Sequence, residues 1–195
     1  MMSDEEILKQ YRAGDREGAF GELVKSFSER LYWHVRTLTG SHEDTDDLLQ
    51  EIFVKVWGAL PGFRGDAQLY TWVFRIATNE TLNFLRKRNL RVSLGLEARG
   101  TVGGEGGQEK ETASAIETIV DRDPYFDGNE VQRLLSVAVS KLPPKQRAVF
   151  AMRYFEEMPY ERMAEVLGTS VGALKASYHF AYEKVKSFLL KNFTD

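Results

Sequence analysis

Residues 93–128 carry Gly95, Gly100, Gly103, Gly104, Gly106 and Gly107, eight Asp/Glu and three Lys/Arg, with little apolar periodicity before Ile116, Ile119 and Val120. A stretch of that composition cannot bury enough apolar surface to offset the entropy of ordering it. The chain is therefore expected to form two small domains, 1–92 and 129–195, joined by an acidic, Gly-rich, flexible linker at 93–128. With 43% hydrophobic residues, each half has the material for a core of its own. The patterning described below is helical throughout, so the expected fold class is all-α.

Charge is distributed unevenly along the chain. Residues 1–62 hold 7 Lys/Arg against 12 Asp/Glu, and 63–92 hold 6 against 2. The linker holds 3 against 8, and 129–195 hold 10 against 7. A net charge of −3 thus hides two basic blocks, one in each domain. Two separate contacts with phosphate fit that distribution, with protein partners for the acidic parts. No cysteine is present, which removes disulfide frameworks and thiolate zinc sites. His34, His42 and His179 are dispersed, without metal-ligand spacing, phosphate loop or nucleophile elbow. No enzyme, metal or cofactor is expected. The acidic start lacks the order of a signal peptide, and no apolar run is long enough to span a bilayer. A cytoplasmic protein without membrane insertion is expected.

In the N-terminal domain, Ser41 offers a hydroxyl cap with Asp44 three residues on. Leu48, Leu49, Ile52, Phe53, Val56, Trp57 and Leu60 then recur at helical spacing as a core stripe, which Pro61-Gly62 stops. The opposite face gathers Asp47, Gln50, Glu51 and Val54, with Asp46 adjacent, as an acidic surface suited to docking. A second helix is expected from about Ala67 to Leu90, with Leu69, Trp72, Val73, Ile76, Ala77 and Phe84 buried. Phe63-Arg64-Gly65-Asp66 precedes it, with a turn glycine and a capping aspartate. It ends in Arg86-Lys87-Arg88, with Arg91 after. Near Thr78, Asn79 and Asn83, these cations suit phosphate and base contact as well as the helix macrodipole.

In the C-terminal domain, Asn129 is expected to cap a helix reaching Leu142, which Pro143-Pro144 breaks. The next helix runs from Lys145 to about Phe155, with Ala148, Val149, Met152 and Phe155 inward. Residues 160–167, Gly168-Thr169-Ser170 and the segment from Val171 have the form of a helix-turn-helix. Small Ala164 permits a close crossing, Gly168 ends the first helix in a left-handed conformation, and Ser170 or Thr169 caps the second. Val171 and Leu174 point back to the core.

Three classes fit less well. A dimeric repressor or activator leaves the acidic helix and the basic N-terminal block without a role. A small enzyme lacks a constellation. A helical adaptor that has lost DNA binding accounts for a charge-poor recognition helix but not for the basic block.

Three stretches, Asp46 through Trp57, Phe63 through Asp66 followed by Tyr70 through Asn79, and Leu142-Pro143-Pro144-Lys145-Gln146-Arg147 through the helix-turn-helix, resemble the sigma factors of bacterial RNA polymerase. Within them the likeness is to the extracytoplasmic-function group. The resemblance implies a transcription initiation factor that binds core polymerase, directs it to promoters and assists melting. It implies that Asp46, Asp47, Gln50, Glu51 and Val54 dock on the clamp helices of the largest polymerase subunit. Residues Phe63, Arg64, Gly65, Asp66, Ala67, Tyr70, Trp72, Arg75, Asn79, Asn83, Arg86, Lys87 and Arg88 would melt and read the minus-ten element. Aromatic and amide groups there can hold flipped bases while cations track the backbone.

The minus-thirty-five element would fall to Ser170, Gly172, Ala173, Lys175, Ala176, Ser177, Tyr178 and His179. Family recognition helices commonly carry several arginines here; this one carries none. Its code is expected to be shallow. The further implied partners are promoter DNA, the flap of the second-largest polymerase subunit, and an anti-sigma factor or recruiting protein. The linker would thread the polymerase cleft.

Overall fold

The computed structural model describes residues 2–94 and 130–193. Among them are eight α-helices and no strand. They are α1 (Asp4–Arg12), α2 (Arg16–Thr39), α3 (His42–Ala59), α4 (Leu69–Ser93), α5 (Glu130–Ser140), α6 (Pro144–Tyr154), α7 (Tyr160–Leu167) and α8 (Val171–Phe193), with a 3₁₀ turn at Leu60–Gly62. Asn129 and nearly all of the expected linker lie outside the described residues.

Local chemistry sets most of the ends. Ser41 caps α3 by accepting from the Asp44 amide, as expected, while the Asp44 carboxylate turns to Arg88. Gly40 and Gly168 close α2 and α7 in the left-handed region, where a side chain would be strained. Ser170, not Thr169, caps α8 through the Ala173 amide at 3.2 Å.

α4 starts later and ends later than expected, at Leu69 and Ser93, so the linker begins beyond 93. Asp66 does not cap it. Its N-cap is Gln68, without a side-chain hydrogen bond. The carboxylate comes instead from α1, where Asp4 accepts from the Tyr70 amide at 3.1 Å. It satisfies one of the orphan donors of the first turn from a distant part of the chain.

Leu23, Leu31 and Val35 of α2, Leu48, Ile52 and Val56 of α3, and Leu69, Val73 and Ala77 of α4 form the N-terminal core. Each of these Leu, Ile and Val side chains contributes about 1.5–3 kcal/mol when fully buried. α4 is also buried along Phe74, Thr78, Thr81 and Leu85. The two threonine hydroxyls there are satisfied by the carbonyls of Phe74 and Ala77. That second buried side went unrecognised in the sequence because threonine interrupts the apolar pattern.

Two residues assigned to the core are not in it. Trp57 is 41% exposed, its ring against Phe20, and Phe155 is 48% exposed just past the end of α6. Phe150, one turn and a half earlier, is the buried aromatic, with Tyr178 stacked on it at 5.8 Å.

The two halves pack on each other. Val149, Met152, Met158, Met163, Val166 and Leu174 belong to the same buried cluster as the N-terminal core. α7 lies along α4, and α6 against α2. Arg147, only 1% exposed, anchors that contact. Its guanidinium donates to the carbonyls of Leu38 at 2.7 Å, Leu142 at 3.0 Å and Ser140. It thereby caps the end of α2 from across the domain boundary. Burial, with Arg88 nearby, pulls its pKa down to about 10, so it stays charged.

Candidate nucleic-acid and polymerase interfaces

The α3 face is open. Asp46, Asp47, Gln50, Glu51 and Val54 are all exposed, Val54 at 71%. Leu48, Ile52 and Val56 on the other side are buried, as an amphipathic helix requires. Trp57 adjoins this face as a half-exposed aromatic. Its place inside an apolar run hid it, since periodicity alone cannot tell the edge of a stripe from its centre. A surface of carboxylates, an amide, a valine and a tryptophan offers charge, with apolar anchors for a protein partner.

On the other side of α4, the turn at 63–67 and the first two turns of the helix enclose a cavity of about 520 Å³. It is lined by Gly62, Phe63, Arg64, Asp66, Ala67, Thr71, Trp72, Arg75 and Glu165. Gly65, at φ +86°, makes the turn. Phe63 and Trp72 lie 5.1 Å apart, centroid to centroid, so the wall is aromatic. Arg64 and Arg75 are exposed at its rim, and Asn79, one turn on from Arg75, is exposed too. Stacking surface, fixed cations and a free amide are the groups that hold an unstacked base.

The remaining expected minus-ten residues divide. Arg86 and Lys87 are exposed, with Arg86 donating to the Asn83 side chain at 2.7 Å. Arg88 is turned inward: its side chain is 12% exposed, and it donates to the Asp44 carboxylate at 2.8 Å. Tyr70 is drawn into the contact between the domains. Its hydroxyl donates to Glu156 at 3.0 Å, its ring lies 4.1 Å from the Arg30 guanidinium, and burial raises its pKa.

On α8, Gly172, Ala173, Lys175, Ala176 and His179 are exposed over one broad side. Lys175 lies 5.7 Å from the Tyr160 ring centroid. The Ser170 hydroxyl is used as the cap, Ser177 is half-buried, and Tyr178 packs between Phe150 and Tyr160. Phe180, at 60% exposure, shares the face of Ala173 and Ala176 at i, i+3, i+7 spacing and was missed because the search there was for polar groups. Among the described residues, no group of three or more His, Cys, Asp or Glu is placed to hold a metal.

A helical chain with a helix-turn-helix in one domain and an aromatic, cationic pocket in the other has the surfaces expected of a DNA-binding protein. Family comparison gives sigma-70 region 2 over residues 23–91 and sigma-70 region 4 over residues 132–185. The chain belongs to the sigma-70 family, in the extracytoplasmic-function (ECF) group, and is a promoter-specific transcription initiation factor. It is 26% identical to the ECF RNA polymerase sigma factor SigW of Bacillus subtilis, over 93% of this chain and 94% of that one. It is 27% identical to the RNA polymerase sigma-H factor of Pseudomonas aeruginosa, over 95% and 93%.

Two solved structures share the fold. The sigma factor RpoE of Bartonella quintana, in complex with the anti-sigma factor NepR, matches with a TM-score of 0.67 at 20% identity, over 87% of this chain and 96% of that one. CnrH, in complex with the cytosolic domain of CnrY, matches with a TM-score of 0.65 at 24% identity, over 95% and 96%. Among the described residues no helix is long and apolar enough to cross a membrane.

Proposed function

We propose that Asp46, Asp47, Gln50, Glu51 and Val54, with Trp57 beside them, dock on core RNA polymerase, and that the cavity between the 63–67 turn and α4 captures a flipped base of the minus-ten element. The observation that carries this reading is the cavity itself. It brings Phe63, Trp72, Arg64 and Arg75 around one space, with Asn79 on the adjoining turn. Its size falls within the range of about 300–1,000 Å³ typical of small-molecule pockets. Arg86 and Lys87 extend it along the backbone path. Arg88, already paired, contributes structure more than phosphate contact. α8 approaches the minus-thirty-five element with Lys175 and His179 as its polar reach and Ala173, Ala176 and Phe180 as apolar contact. Thymine methyls and phosphates suit that set better than guanine edges. The protein works in the cytoplasm without catalytic chemistry of its own. An anti-sigma or recruiting protein regulates it, as the complexes of its structural neighbours suggest.

The test is co-purification with core polymerase followed by run-off transcription. Asp47→Lys with Glu51→Lys should abolish both while helicity is kept. Undiminished co-purification would refute the α3 assignment. Asn79→Ala should leave co-purification intact and relax discrimination at one minus-ten position; an equal loss on matched and mismatched promoters would refute the α4 assignment.

A further inference from the structure

The outer side of α8 is short of hydrogen-bonding groups and carries one large apolar side chain. Leu174, Ala181 and Val185 are buried against the rest of the domain, which turns Gly172, Ala173, Ala176 and Phe180 outward. Phe180 is 60% exposed, more than any other Phe, Tyr or Trp among the described residues. Its ring joins none of the buried clusters, and its aromatic neighbour is His179, 6.1 Å away between centroids.

A single exposed apolar side chain is ordinary on a protein surface. The position of this one is not, because the second helix of a helix-turn-helix enters the major groove of DNA. Gly172, Ala173 and Ala176 end at or before Cβ, so the helix can come close to the groove floor before Phe180 meets it. From Ala173 to Phe180 the helix rises about 10 Å at about 1.5 Å per residue. That is about three base pairs at about 3.4 Å each.

Charge around the ring suits duplex DNA. Lys175 and Lys184 are exposed before and after it along the helix, and the contact of Lys184 is with the neutral Gln146 side chain at 3.2 Å. Both can reach phosphates on either side of the groove. Glu183, exposed one turn past His179, repels phosphate and marks where the contact ends. Within the groove, guanine edges are read by a bidentate donor such as arginine, and this stretch has none. The apolar group on the groove floor is the C5-methyl of thymine. 5-Methylcytosine carries the same methyl at the same position, where cytosine has only a hydrogen.

We infer that Phe180 is the specificity-determining residue of α8, and that it reads the C5-methyl group of a pyrimidine, thymine or 5-methylcytosine alike. This rests on the reading of α8 as the minus-thirty-five surface and narrows it to one side chain and one chemical group. A promoter with cytosine at the contacted position becomes a better site when that cytosine is methylated. Burial of one methyl group corresponds to about a fourfold change in affinity.

The test uses holoenzyme assembled from core polymerase and the full chain. Holoenzyme first selects promoters from fragments of the chain's own genome. The tightest is then synthesised with each thymine of the minus-thirty-five element replaced in turn by deoxyuridine, cytosine or 5-methylcytosine, with the pairing base adjusted. Affinities are measured by competition for the parent chain and for Phe180→Ala, a change at an exposed position whose helicity circular dichroism checks.

At one thymine, deoxyuridine should lower the parent's affinity about fourfold, cytosine should lower it at least as much, and 5-methylcytosine should bind within about twofold of thymine. Phe180→Ala should bind the thymine and deoxyuridine duplexes alike, near the parent's deoxyuridine level, and should co-purify with core polymerase as the parent does. Equal binding of thymine and deoxyuridine by the parent, with other base changes in the element still felt, would overturn the methyl reading and leave α8 as the minus-thirty-five surface. A thymine preference of the same size in Phe180→Ala would take the role from Phe180. Failure of 5-methylcytosine to restore binding would overturn the equivalence of the two bases. Loss of co-purification in Phe180→Ala would assign the ring to a protein contact instead. Indifference to every base change in the element would defeat the α8 reading, and this inference with it.

Discussion

His34 is wholly buried beneath α4, and its protonation state follows from its neighbours. Thr78 donates its hydroxyl hydrogen to the Phe74 carbonyl at 2.8 Å, so at 3.0 Å from His34 Nε2 it can only accept. The proton of the neutral ring therefore sits on Nε2. Nδ1 is left buried with no partner among the described residues. A second proton would create a cation with no acceptor, and burial pushes the pKa down to about 3. An unfolded histidine takes up its proton near about 6.5. Between those values the unfolded chain binds more protons than the folded one, so stability rises with pH there and falls on acidification.

The slope is roughly 1.4 kcal/mol per pH unit, which removes about 2 kcal/mol by about pH 5. His34→Gln keeps a donor toward Thr78 and cannot titrate. Urea unfolding followed by circular dichroism between about pH 7.5 and about pH 5 should show the variant losing about 2 kcal/mol less than the parent over that interval. Comparing slopes cancels the carboxylates that titrate in both. Parallel slopes would mean that His34 accepts a proton in the folded state, and would refute the tautomer argument.

Arg88 and its neighbours should separate stability from DNA binding. Arg88→Ala leaves the part-buried Asp44 carboxylate without its partner and should cost about 1–3 kcal/mol by thermal or urea unfolding. Arg86→Ala with Lys87→Ala should change stability by no more than about 0.5 kcal/mol per substitution, while flattening the salt dependence of promoter binding by about one unit of slope per cation. Glu157 is the one non-glycine at positive φ among the described residues, at 50°. Its exposed side chain can be dispensed with, because Arg153 donates to its backbone carbonyl. Glu157→Gly should therefore stabilise the chain by about 0.5–1 kcal/mol in the same unfolding assay; no gain would show that the turn is unstrained.

Features of local origin were legible in the sequence. The Ser41 and Gly168 signals, the Leu48–Ile52–Val56 stripe and the exposed carboxylates opposite it follow from helical periodicity and capping chemistry within a few residues. So does the charge step that separates the basic blocks. What escaped was set by distant parts of the chain. Asp66 looked like the cap of α4 because it precedes the helix, but Asp4 is held nearby by the packing of α1. Phe155 matched the inward spacing of α6 until the helix ended at Tyr154 and released it. Tyr70 and Arg88 looked like free DNA ligands, yet each found a carboxylate, Glu156 and Asp44, far along the chain. Hydrophobic pattern gives the face of each helix; it carries no information on which partner will meet its polar residues.

Arg147 ties the stability of the two halves together. Its guanidinium draws on the Leu38 carbonyl in α2 and on those of Ser140 and Leu142 in its own half. Parting the halves would return Leu38 to water and leave a buried cation short of one acceptor. The two halves should therefore melt as one cooperative unit rather than in separate steps.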